Sequence, residues 1–213
     1  MDQMNPYAQM APSPSIIRRN AVRREQNLYS KTFKKLRGRW KDLSPKEELV
    51  IIFNNIINYR YLIFTLVLSI GFTKKLKGLS NKEMTDLVRR RLNTNFKNNL
   101  GYLPKILFIL EGQESQCLHL HGVIGPKSDL ILSQKQKERI AKIMKKTAFG
   151  PDYKNNPMSK NILRLGEVYA PKGWLRYMAK DFKNTKKAIY SQFYICHDLR
   201  REAKKYYEKT LIC

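Results

Sequence analysis

His119 and His121 stand two residues apart in the apolar run CLHLHGVI, residues 117–124, and the chain has only one other histidine, His197. On a β-strand alternate side chains share a face, so the two imidazoles would project side by side together with Cys117 and Val123. That is a geometry able to hold a divalent metal; the plain alternative is a pair of half-buried polar residues on a strand. A third ligand is offered by the preceding apolar run, Lys105 to Glu111, which the polar GQESQ joins to the first. Read as a β-hairpin in which Glu111 faces Cys117 and Ile109 faces His119, it puts Glu111 on the face of both histidines. A slip of one residue would turn Glu111 away and leave Glu114 in the loop as the substitute. Two histidines and a carboxylate suit Mn²⁺, Mg²⁺, Fe²⁺ or Zn²⁺, and ligand type alone does not choose among them.

The second stretch is GWLRYMAKDF, residues 173–182. Trp174, Met178 and Phe182 recur every four residues and with Leu175 form the buried stripe of a helix. Tyr177 and Lys180 fall outside that stripe, three residues apart and therefore neighbours on the helix surface. In isolation such a pair reads as an exposed rim.

Elements able to position these residues are marked by local signals. Ser44-Pro45-Lys46-Glu47 supplies an N-cap, a first-turn proline and a capping-box glutamate, so a helix should run to about Tyr59. The run YLIFTLVLSIGF, Tyr61 to Phe72, reads as a buried strand. Ser80-Asn81-Lys82-Glu83 opens a helix to about Asn98, and Ser133 caps a basic helix ending near Ala148. After a loop over Gly150 to Lys160 come a strand over Asn161 to Tyr169, the helix Pro171 to Lys183, a strand over Ile189 to Cys196 and a helix from Asp198 to Lys209. This order, β, α, β, β, α, β, α, β, predicts an α+β protein with an antiparallel sheet and helices packed on it.

The 213 residues carry 42 Lys and Arg against 17 Asp and Glu, a formal charge of +25. Such an excess points to a polyanion, with nucleic acid as the first candidate. A membrane is disfavoured because the longest apolar run is about half of the roughly 20 residues a spanning helix needs. Residues 16–43 hold ten basic side chains, Arg18, Arg19, Arg23 and Arg24 among them, against only Glu25 and Asp42. They read as a phosphate-binding arm following a proline-rich, disordered tail at 1–15. Three cysteines without pairing or zinc-ribbon spacing suggest free thiols in a cytoplasmic setting.

Phe64-Thr65-Leu66, Glu111 with His119-Leu120-His121-Gly122, and Tyr177-Met178-Ala179-Lys180 occur in the order and approximate spacing of the three motifs of HUH endonucleases. The chain thus resembles the single-tyrosine rolling-circle replication initiators over roughly residues 60–196. The resemblance implies an antiparallel five-stranded sheet with flanking helices, a Mn²⁺ or Mg²⁺ ion at Glu111, His119 and His121, and Tyr177 as the nucleophile that nicks single-stranded DNA. Lys180 would assist it, and Lys172, Arg176 and Lys183 would contact phosphates. The implied partners are single-stranded DNA at a replication origin, as a hairpin in some cases, and a host helicase. No phosphate-cradling GxxxxGK[ST] is present for an ATP-driven helicase of the chain's own.

The expected organisation is a tail at 1–15, a basic helical extension at 16–59, a nuclease-like domain at 60–196 and a C-terminal helix at 197–213. A relaxase or single-strand transposase would use the same chemistry. A basic nucleic-acid-binding protein without covalent chemistry is the alternative from another class, and a non-haem iron oxygenase is a third that has no need of Tyr177 or of the charge.

Overall fold

In a computed structural model of the chain, the structure describes residues 39–111, 117–128, 130–155, 162–178 and 192–212. Arg18, Arg19, Arg23, Arg24, Glu114, Lys180 and Lys183 lie outside them. The chain divides into two compact units, residues 1–42 and 43–213. Of the first, only residues 39–42 are described, three of which, Trp40–Asp42, form a 3₁₀ turn.

The second unit runs α1 (Pro45–Asn55), β1 (Leu62–Val67), α2 (Ile70–Lys77), α3 (Asn81–Leu100), β2 (Lys105–Glu111), β3 (His119–Gly125), α4 (Gln134–Phe149), β4 (Leu163–Glu167), α5 (Pro171–Met178), β5 (Gln192–Ile195) and α6 (His197–Ile212). The five strands make one sheet in the order β4-β1-β3-β2-β5, and every described pairing is antiparallel. The fold is therefore α+β, as the order of elements predicted. Capping boxes at Ser44, Ser80 and Ser133 start α1, α3 and α4, each serine hydroxyl accepting from the third helical amide while the glutamate or glutamine there reaches back.

One expected strand is shorter than its apolar run. Tyr61 to Phe72 does not continue as a strand; it stops at Val67, and Ser69 caps α2 by accepting from the Phe72 amide at 3.2 Å. Phe72, Thr73 and Leu76 then recur at helical spacing and are buried, while Ile70 is left exposed. A cap followed by that spacing outweighs uninterrupted hydrophobicity.

The two faces of the sheet are covered differently. Leu62, Phe64 and Leu66 of β1, Ile106, Phe108 and Leu110 of β2, and Leu120 and Ile124 of β3 share one core with residues of α2, α3 and α4. Fully burying each of these side chains contributes about 1.5–3 kcal/mol. On the opposite face α1 packs against α5 and α6, and α6 packs on β2. There Lys105 of β2 meets Glu202 of α6 at 2.7 Å, and Arg200 of α6 meets Glu48 of α1 at 3.1 Å. This cover does not extend over the whole sheet. β2 and β3 are buried along almost their full length, whereas β1 alternates, with Ile63, Thr65 and Val67 half-buried. Among the described residues no helix is long and apolar enough to cross a membrane.

Candidate active site

The candidate residues collect where the cover over β2 and β3 gives way to the half-open β1. β3 is the middle strand, and its His119 and His121 project to the face that carries α5. In the hairpin Glu111 lies directly opposite His119 and Ile109 opposite His121. The expected register, Glu111 against Cys117, is off by two residues. A shift of two preserves which face each side chain takes, so Glu111 still joins the histidines.

Glu111 and His121 are in contact, Oε2 to Nε2 at 2.9 Å, with the imidazole 3 % and the carboxylate side chain 14 % exposed. On its other side His121 Nδ1 stands 3.0 Å from Thr65 Oγ1, directly across from it on β1. A hydroxyl both donates and accepts. Thr65 therefore satisfies Nδ1 in either tautomer: it donates when Nε2 carries the proton toward Glu111, and it accepts when Nδ1 is protonated and the Nε2 lone pair is free for a ligand. The second state is the one metal-binding histidines use.

Glu111 and His121 suit a divalent ion. Two donors each about 2.1 Å from one ion and at right angles stand roughly 3 Å apart, and the Nε2–Oε2 spacing matches that as well as it matches a direct hydrogen bond. His119 is the third donor on the face, its ring 6.1 Å from that of His121 and nearly perpendicular to it. As placed, no three His, Cys, Asp or Glu side chains among the described residues stand close enough together to form a complete ligand group. The preformed part is the Glu111–His121 pair.

Tyr177 of α5 lies over this pair. Its ring meets that of His121 edge-to-face at 4.9 Å, and it is 42 % exposed. Trp174, one turn earlier, stacks on Tyr177 at 5.1 Å and 21°, and its indole N–H donates to the Gly122 carbonyl at 3.0 Å. That bond pins α5 to the histidine strand. Leu175 and Met178 supply the buried stripe expected of this helix, but Trp174 is only partly buried and faces the site. Aromatic contacts with both His121 and Tyr177 give its ring a second task beside packing.

No protein-family model matches the chain, and no curated protein or solved structure is significantly similar to it. The site thus rests on its own geometry.

Two residues quoted within the motifs, Thr65 and Gly122, were given no role of their own in the sequence. Thr65 is the one polar side chain in LIFTLV, and that alone could have marked it. Gly122 is required between two phenylalanines: it pairs with Phe64 on one side and Phe108 on the other. A Cβ there would fall on the Leu107 carbonyl oxygen and come within 2.6–2.8 Å of the Phe64 ring. Of the other expected contacts, Lys172 is exposed and Arg176 half-buried, both on α5. Tyr169, just after β4, is 87 % exposed, its hydroxyl donating to Glu167 at 3.3 Å. His197 starts α6 with its ring in solvent, in keeping with an end position rather than a ligand.

Proposed function

We propose that the chain is an HUH-type DNA endonuclease and strand transferase, nicking and rejoining single-stranded DNA as an initiator of rolling-circle replication for a plasmid or phage. The observation that carries this reading is the contact between Tyr177 and His121, whose imidazole also meets the Glu111 carboxylate. A helix surface tyrosine and a strand histidine, distant in sequence, meet at one place on a strongly basic protein.

Glu111, His121 and His119 would hold Mn²⁺ or Mg²⁺. When bound, such an ion polarises a non-bridging phosphate oxygen and orients the phosphate. Tyr177 Oη attacks phosphorus and gives its proton to water. The new bond is a 5′-phosphotyrosine, the bond broken is P–O3′, and the departing oxygen takes up a proton as a free 3′-OH. Reversal with another 3′-OH rejoins strands. Free tyrosine ionises near 10, so attack at neutral pH gains from a nearby cation, the role proposed for Lys180. Lys172, Arg176 and Lys183, with the arm around Arg18, Arg19, Arg23 and Arg24, would grip phosphates in a cytoplasmic setting where a host helicase unwinds the origin.

A non-catalytic nucleic-acid-binding protein is the second reading, favoured by the direct Glu111–His121 bond, which is complete without an ion. The two are separated by incubating wild type and Tyr177→Phe with Mn²⁺ and single-stranded fragments tiling the DNA that encodes the protein. Nicked fragments from wild type, absent with chelator and absent from the variant, support the enzyme. Binding without nicking on every fragment supports the second reading.

A further inference from the structure

A second basic feature lies on the other side of the sheet. Helix α3 buries Met84, Val88, Leu92 and Phe96 in the core beneath that face. Leu87, Arg90, Arg91, Thr94 and Asn95 recur at i, i+3, i+4, i+7 and i+8 and so form one stripe on the same helix. With Lys146 and Gly150 at the end of α4 they line a groove of about 460 Å³. Its floor is tied by Asn95 Nδ2 donating to Thr147 Oγ1 at 3.0 Å, while Thr147 Oγ1 donates to the Ile143 carbonyl at 2.8 Å.

Among the described residues, three cations line this groove and no carboxylate does. The nearest acid along α3, Asp86, pairs with Arg89 at 3.2 Å instead. The Arg91 guanidinium lies 4.4 Å over the Phe72 ring, which fixes it. Burial lowers the Arg91 pKa from its ordinary value, so the charge there carries a desolvation cost that an anion in the groove would offset. Single-strand platforms combine cations with exposed rings for stacking bases. Here the described lining offers guanidinium, ammonium, amide and hydroxyl groups and no ring, a set that suits phosphates rather than bases.

We infer that the α3–α4 groove binds the backbone phosphates of duplex DNA, at a site separate from Glu111, His121 and Tyr177 and on the opposite side of the sheet. Its contacts are independent of sequence, and it would hold the double-stranded region flanking whatever single strand the other face engages. The inference does not depend on Tyr177 being a nucleophile.

The test measures binding of a fluorescent blunt duplex to the full chain by anisotropy across a salt series. The variants are Arg90→Gln/Arg91→Gln/Lys146→Gln, the single Lys146→Gln, the charge-preserving Arg90→Lys/Arg91→Lys, and a control that neutralises Lys204, Lys205 and Lys209 on the exposed side of α6. Each phosphate contact contributes about 0.9 to the slope of log K against log salt. The triple variant should lower that slope by about 2–3 and Lys146→Gln by about 1, while the charge-preserving pair and the α6 control leave it near wild type. Equal slopes for wild type and Lys146→Gln, or an equal fall with the α6 control, would overturn the assignment. So would a loss confined to single strands of the same length. Nicking of short single strands by the triple variant, if wild type nicks them, should persist.

Discussion

Thr65→Val is the most informative single change at the site. Valine keeps the branched shape of threonine on β1 and removes only the hydroxyl that stands 3.0 Å from His121 Nδ1. His121 is 2 % exposed, so water does not readily replace that partner. Leaving one buried polar atom unsatisfied costs about 1–3 kcal/mol of stability. A loss of similar size is expected in Mn²⁺ binding at the proposed site, because the tautomer that frees Nε2 then leaves its Nδ1–H without an acceptor. Loss of such an outer partner typically lowers metal affinity by about 10–100-fold, equivalent to roughly 1.4–2.7 kcal/mol. Calorimetric titration with Mn²⁺, run beside thermal melts, separates the two effects. Thr65→Ser, which restores the hydroxyl, should recover affinity. Wild-type Mn²⁺ affinity in Thr65→Val would refute a role for the hydroxyl in supporting the His121 tautomer that leaves Nε2 free.

Gly122→Ala should cost at least about 3 kcal/mol, the upper end for overpacking, because the added methyl meets a backbone carbonyl as well as the Phe64 ring; an unchanged denaturation midpoint would contradict this. Trp174→Phe keeps a ring against Tyr177 but loses the bond to Gly122, so nicking should slow about fivefold, as expected for roughly 1 kcal/mol of lost positioning, and an unaltered single-turnover rate would sink that role. Hydrogen bonds from the Ser80 side chain and then its backbone amide hold the Glu83 carboxyl below its ordinary 4.5. That stabilisation is complete above the unfolded value and is lost as pH falls through the lower folded one. The melting-temperature advantage of wild type over Glu83→Gln should thus be steady above the ordinary carboxylate value of 4.5 and shrink as pH falls below it; a gap that does not change on acidification would count against it.

What was legible in the sequence was mostly local. The serine caps at 44, 80 and 133 act within one helical turn, so their helices begin where the residues say they do. The alternation in β2 and β3 fixed which face Glu111 and the histidines share, even though the loop length misplaced the register by two. Ser69 caps α2 as well, but it has Phe72 rather than Glu or Gln three residues on and lies inside an apolar run, and hydrophobicity alone does not distinguish a buried strand from a strand followed by a helix. Contacts formed by tertiary packing could not be read this way. The pairing of Thr65 with His121 depends on β1 adding beside β3, and the bond from Trp174 to Gly122 depends on where α5 settles on the sheet.

If Tyr177 is the nucleophile proposed above, it becomes covalently joined to DNA. Wild-type protein incubated with Mn²⁺ and a cleaved fragment, denatured, digested with nuclease and trypsin and examined by mass spectrometry, tests it at the residue. Trypsin cuts after Arg176 and Lys180, releasing Tyr177-Met178-Ala179-Lys180. This peptide should carry a 5′-linked nucleotide, and the modified form should vanish with chelator. Nicked DNA with the nucleotide on any other peptide, or on none, would contradict it.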